Sequence, residues 1–409
     1  MTQEYHILLL APYADPQDVG EAWSTFQWVQ GITEHFPSAT ILSLHKHGRS
    51  ITHLFPKHRV ISWEELSFFS RFERFNAMLK PSYIVYYHNA RKWIKSEIKK
   101  GEKWDLVHQI SPLALRYPCP ACGLGIPFII GPLAGSIPVP DLLKNEISSE
   151  HWFTNLRGLD DARFRYDPLL RQTYNQSSLV LGVAPYVRNI LRYNNVKRFE
   201  VMNETGIHTV REPTKETKGL VSDHLKIIYV GRIVRSKGLI DLIRALGLLK
   251  NRTTQKIVLN VFGDGKDKVR CKEEACQLGV DDTVIFHGRV EKNTVFEYYK
   301  QSDLFVLPSW KEPSGNVVLE AMSFGLPMIV CATGGPDFTV KDSFGIKVPP
   351  DSPQNFAKKL ADAIFELSCN PQRLLSMRDA AIQEATKYHL WPNKIQTMIG
   401  YYNSILTSK

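Results

Sequence analysis

The sequence predicts an α/β protein made of two doubly wound domains, and three observations carry that expectation. Short apolar runs recur along the whole chain between stretches of helical spacing, which is the pattern of parallel sheets covered on both faces. The 409 residues exceed one ordinary core, at about 100–200 residues per domain. A polar stretch poor in apolar residues, Glu212–Asp223, separates two halves with the same alternation. The reading sets an N-terminal domain at 1–205 and a C-terminal domain at 206–385.

In the first half, Tyr5–Ala11, Thr40–Leu44, Asp105–His108, Pro127–Ile130 and Ser178–Val183 read as buried strands: short, apolar and bounded by turn residues. In the second half, Lys226–Val230, Lys256–Phe262, Thr283–His287, Leu304–Leu307 and Pro327–Val330 read the same way. Leu239, Leu242, Ile243, Leu246 and Leu249 follow a strand at helical spacing. In such domains ligands bind in the crevice at the carboxyl ends of the strands, so the chemistry belongs in the loops that follow them.

Composition narrows the class. Hydrophobic residues at 43%, charged residues at 22%, 25 Gly and 24 Pro exclude a disordered or fibrous chain. Apolar stretches such as Ile7–Ala11 and Ile126–Ile130 fall far short of the roughly 20 residues of a membrane helix. Glu4, with no basic residue before the first apolar run, argues against a signal peptide, so a cytoplasmic protein is expected. Of six Cys, Cys119 and Cys122 form a C-x-x-C with no second ligand pair in reach, which reads as a Pro-rich turn and not as a metal centre. Net charge is 51 − 41 = +10. Residues 71–103 supply +6 of it and point to an anionic partner.

Four segments carry candidate chemistry. Tyr229–Gly238 joins a strand to a helix and brings Arg232 and Lys237 to a helix start, a natural phosphate site. Glu312–Glu320 follows the strand Leu304–Leu307. Gly315 allows close approach, Asn316 and Val317 open a helix, and the two carboxylates are acceptors for sugar hydroxyls. His108 ends a strand and there could donate a hydrogen bond or accept a proton. Gly20 precedes a helical stretch after the first strand and there could bring backbone to a diphosphate.

Together these residues resemble a nucleotide-sugar-dependent glycosyltransferase of family 4, whose GT-B architecture is two Rossmann-like domains facing across a cleft. The G-R-x-x-x-x-K-G at 231–238, the E-x7-E from Glu312 to Glu320, Val261–Gly265, Phe286–Val290 and Gly334–Asp337 occur in that family's order. The resemblance implies that Arg232 and Lys237 neutralise the donor diphosphate, and that Glu312 binds the donor sugar and Glu320 the ribose. It further implies that the backbone at Gly315, Asn316 and Val317 touches phosphate, Val290 lies near the base, Gly20 near the phosphates, and His108 near the transferred sugar, and that a last helix at 386–409, around Trp391, crosses back to the first domain. The sequence departs from the family pattern in Glu312-Pro-Ser-Gly for E-G-F-G, Ile110 in place of a second His, Asp337 for Glu, and a single first-domain glycine.

The resemblance implies retention of configuration. No D-x-D pair is present, and the two loop cations offer a metal-free route, so no cofactor and no metal are expected. The expected partners are a nucleotide-diphosphate sugar and a glycan or lipid-linked acceptor, as in synthesis of a cell-surface polysaccharide. Ala90, Ile94 and Ile98 at helical spacing, with lysines beside them and Phe68, Phe69, Phe72 and Phe75 before them, suit a helix lying on an anionic membrane at its inner face. A solvated basic helix accounts for the same stretch. A silent binding subunit of the same fold, an epimerase of similar build and a basic nucleic-acid-binding protein are the competing readings; no nucleic-acid-binding motif is present.

Overall fold

The computed structural model describes residues 5–45, 49–65, 80–147, 159–211 and 224–407. The expected boundary stretch 212–223 and the basic and aromatic residues between 66 and 79 lie outside them. The chain divides into two compact units: Met1–Ser136, His151–Gly206 and Trp391–Lys409 form one, Ile137–Glu150 and Ile207–Leu390 the other.

The first unit holds seven parallel strands: β1 (Ile7–Leu10), β2 (Thr40–His45), β3 (Arg59–Glu64), β4 (Leu106–Gln109), β5 (Phe128–Leu133), β6 (Leu179–Gly182) and β7 (Phe199–Val201), in the order β3-β2-β1-β4-β5-β6-β7. β1 is buried throughout because it is covered twice: Leu8 and Leu10 enter one core, Ile7 and Leu9 the other. Its register pairs Leu8 with Thr40 on one side and with Val107 on the other. The second unit holds β8 (His224–Val230), β9 (Lys256–Phe262), β10 (Val284–Gly288), β11 (Leu304–Leu307), β12 (Met328–Cys331) and β13 (Gly345–Val348), in the order β10-β9-β8-β11-β12-β13. Both sheets reverse direction beside their first strand, between β1 and β4 and between β8 and β11. These are the positions where open α/β sheets bind ligands.

All ten expected strands form, within a few residues. β3, β7 and β13 were not expected. They are three of the four outer strands, and their residues are largely half-exposed, so no continuous apolar run marks them.

Three expectations are corrected. Ile137–Glu150, assigned by sequence to the first domain, belongs to the second unit, where Leu143 is fully buried in the core. The returning helix is Trp391–Leu406; residues before Trp391 stay with the second unit. It packs on the first unit through Trp391, whose ring meets Trp28 edge-on at 5.1 Å. The third concerns the basic helix, Ser82–Lys99. Its apolar face is core: Tyr83, Tyr86, Ala90 and Ile94 are buried, so they are not available to a membrane. The outward face carries Ile84, His88, Lys92, Lys95 and Lys99. Among the described residues no helix is long and apolar enough to cross a membrane.

Candidate functional site

The geometry of the second unit starts from β8. Val230 leads into Gly231 and Arg232, then a tight turn at Arg235–Lys237, and the helix Leu239–Leu249 begins after Gly238. Gly238 has φ 72, and a Cβ there would lie 2.1 Å from the Pro308 carbonyl oxygen. The loop after β8 is thus pressed onto the loop after β11, and only glycine fits. Further bonds hold the contact: Trp310 N–H donates to Ser236 O at 3.2 Å, and the Ser309 hydroxyl donates to the same oxygen at 3.4 Å.

The consequence is a pairing across the point where the sheet reverses. Lys237 Nζ donates to Glu312 Oε2 at 2.5 Å and lies 3.4 Å from Lys311 O. The two side chains are 11% and 17% exposed, so the pair is largely withdrawn from water yet not sealed. A partly desolvated pair with residual access is suited to exchanging its partners for a charged ligand. The loop after β12 closes the other side of Glu312. Gly335 N–H donates to Glu312 O at 3.1 Å, and a Cβ on Gly334 would stand 2.1 Å from that same oxygen.

Glu312 leads through Gly315 into the helix Asn316–Ser323. The first N–H groups of a helix have no acceptor within it, so Asn316 and Val317 offer two donors at this end. Asn316 Oδ1 is buried with no hydrogen-bond partner. Glu320, one turn on, pairs with Lys292 Nζ at 2.8 Å. Arg232 is exposed at the end of β8, its backbone carbonyl held by the Tyr229 hydroxyl at 3.1 Å. Val290 lies just past β10 and is 39% exposed, an apolar surface beside the first residues of the helix Lys292–Gln301. A cationic strand–helix loop and an acidic one, meeting at the reversal of a parallel sheet, therefore occupy the second unit.

Residues 210–387 match the family described as Glycosyl transferases group 1. An uncharacterised glycosyltransferase of Methanocaldococcus jannaschii is 39% identical over 141 residues, covering 34% of this chain and 35% of that one. The chain spans about a third to a half of the length of the curated relatives it matches. Among solved structures, sucrose-phosphate synthase of Thermosynechococcus elongatus has a TM-score of 0.66 at 18% identity, covering 99% of this chain and 100% of that one. Anabaena HepE, solved with UDP, has a TM-score of 0.63 at 17% identity, covering 97% and 99%. These likenesses show the fold: two Rossmann-like units, as in GT-B proteins.

Within the region matched to the group 1 transferases, the structure brings Lys237 to Glu312, and Gly315 and Asn316 follow Glu312 at the start of the next helix. Lys292 is a residue that sequence reasoning missed. Its signal was its place directly after the strand that ends at Gly288.

In the first unit, Gly20 is exposed with φ 63 and starts the helix Glu21–His35 after β1. Sequence reasoning also passed over its neighbours. Glu21 accepts from Leu113 N–H at 3.1 Å and pairs with Lys80 at 2.8 Å, and Lys80 lies 4.2 Å above the Tyr13 ring. Arg116 and Asp160 form a buried pair at 2.7 Å.

His108 is a correction. It is fully buried inside β4, with Nε2 at 2.7 Å from Gly131 O and Nδ1 at 2.6 Å from the Tyr402 hydroxyl. The carbonyl can only accept, so Nε2 carries the proton and Tyr402 donates to Nδ1. Burial lowers its pKa to about 4. Both nitrogens are engaged and the ring is out of reach of solvent, so His108 joins the returning helix to the sheet and faces no ligand site.

Proposed function

We propose that the protein is a glycosyltransferase that moves a sugar from a nucleotide-diphosphate donor to a saccharide or lipid-linked acceptor with retention of configuration, as in cell-surface polysaccharide synthesis. The observation that carries the reading is the Lys237–Glu312 pair at 2.5 Å, between the loops that follow the adjacent strands β8 and β11, where the strand order reverses. HepE, which shares the fold, was solved with UDP, and this supports a nucleotide donor here.

In this reading the donor diphosphate takes Lys237 from Glu312, with Arg232 and the N–H groups of Asn316 and Val317 completing its shell. The freed Glu312 carboxylate accepts hydroxyls of the donor sugar. Glu320 serves the ribose, the Val290 backbone lies by the base, and the Gly20 turn of the first unit by the phosphates. The bond from the anomeric carbon to phosphate oxygen breaks as negative charge grows on the diphosphate. Fixed cations and dipoles aimed at growing charge are usually the largest catalytic term. The acceptor hydroxyl attacks from the leaving-group side and gives its proton to a phosphate oxygen, so the reaction needs neither a protein nucleophile nor a metal.

The outward face of Ser82–Lys99 supports a peripheral position on the cytoplasmic side of an anionic membrane. Lys92, Lys95 and Lys99 are exposed there. Such binding rests on charge rather than on an inserted apolar stripe and weakens with salt.

The test is turnover with a panel of nucleotide sugars. Lys237→Ala should lower it at least about 100-fold, the loss for one donor to developing charge, and Glu312→Ala, which removes the acceptor for the sugar hydroxyls, should lower it as well, both with the fold intact by circular dichroism. Near-normal rates in both variants would remove the assignment.

A further inference from the structure

Beneath the loop that carries Lys237 lies a row of charges that the proposed chemistry does not use. Arg235 opens the turn Arg235–Lys237 and is buried. Its Nε donates to Glu146 Oε2 at 2.6 Å, and Nη1 and Nη2 donate to the Asp241 carboxylate at 2.6 and 3.0 Å. Arg244 stands 3.8 Å from Asp241 and 2.7 Å from Glu274. From Glu146 to Glu274 the charges alternate in sign, and Trp310 lies 5.6 Å from the Arg235 guanidinium.

The two carboxylates on Arg235 come from different places. Asp241 is fully buried in the helix that continues from the turn. Glu146 lies 89 residues earlier, in Asp141–Ile147, within the stretch of chain that leaves the first unit after Ser136 and rejoins it at His151. Asp241 also shares its charge with Arg244, so removing Glu146 leaves the Nε–H of a buried guanidinium without an acceptor. A buried donor in that state is costly, and the turn can relieve part of the cost by moving. Lys237, two residues on, moves with it. Displacements of about 1 Å in a positioning group are enough to lower rate or affinity by orders of magnitude.

We propose that Glu146 is a positioning residue for the Lys237 ammonium, so that the affinity of the second unit for a nucleoside diphosphate depends on a segment inserted from between two strands of the first. This rests on reading the second unit as a nucleotide-sugar site.

Calorimetric titration of the full chain with UDP, ADP and GDP tests it. The wild type binds at least one of them. Glu146→Ala weakens that nucleotide about tenfold, within the range for coupled neighbours, in protein that circular dichroism shows to be folded at the titration temperature. Glu146→Gln, which keeps an acceptor oxygen for Nε–H, recovers part of the loss. In a Lys237→Met background, Glu146→Ala has no further effect. Equal dissociation constants for wild type and Glu146→Ala overturn the proposal, as does a tenfold loss that persists without Lys237. If none of the three nucleotides binds the wild type, the nucleotide-sugar reading itself fails and the proposal with it.

Discussion

Replacing His108 with Gln separates a structural from a chemical role. The ring is neutral in the folded chain because burial lowers its pKa to about 4, against an ordinary 6.5. Below pH 6.5 the unfolded chain takes up a proton that the folded chain refuses. Stability linked to this group is therefore complete above 6.5 and is lost as pH falls towards 4. At about 1.4 kcal/mol per unit, the loss across that window is about 3 kcal/mol. Gln does not titrate but offers a donor for Gly131 O and an acceptor for Tyr402 in reach of the same atoms. Its unfolding free energy should thus fall by about 3 kcal/mol less than the wild type's between pH 7 and pH 4. At pH 7 it should lie about 1–2 kcal/mol below the wild type for less favourable hydrogen-bond geometry. Urea unfolding followed by tryptophan fluorescence measures this, since among the described residues Trp310 is the only tryptophan of the second unit and the signal comes mainly from the first. Turnover per folded molecule should be unchanged. Equal pH slopes, or a turnover loss larger than the loss of folded protein, would refute the structural reading.

Gly238→Ala forces a Cβ to 2.1 Å from Pro308 O at φ 72. It should destabilise the second unit by about 2 kcal/mol or more, and unfolding of the isolated Trp310 signal reads it in a variant whose other tryptophans are replaced by Phe. Cys276 and Cys369 are exposed, whereas Cys119, Cys122, Cys271 and Cys331 are buried, and burial pushes the Cys119 thiol up to about 12. A thiol reagent on the native protein should therefore count two fast cysteines of six, and a fast third would contradict the packing around the C-x-x-C. Reversing Lys92, Lys95 and Lys99 to Glu should abolish sedimentation with vesicles containing phosphatidylglycerol while leaving turnover of a water-soluble acceptor intact. Wild-type binding that is indifferent to 0.5 M salt would refute a purely electrostatic surface.

The sequence by itself determined the central strands and the loops at 231–238 and 312–320. Those features are local: an apolar run between turn residues, or a fixed spacing of charge at a strand–helix junction, has one physical reading wherever it lies. Which groups meet is a matter of chain path. Edge strands such as β7 have a sheet neighbour on one side only, so their residues need not be apolar, and only the pairing Val180↔Phe199 reveals the strand. His108 at a strand end reads equally as a ligand-facing or a core residue. Tyr402, 294 residues away, decides between them by filling its Nδ1. Arg235 looks in sequence like one more phosphate cation beside Arg232 and Lys237, yet Asp241 and Glu146 bury and neutralise it. A side chain's charge is written in the sequence, but whether that charge meets solvent, ligand or a buried counter-charge depends on the folding of distant residues, which no local pattern encodes.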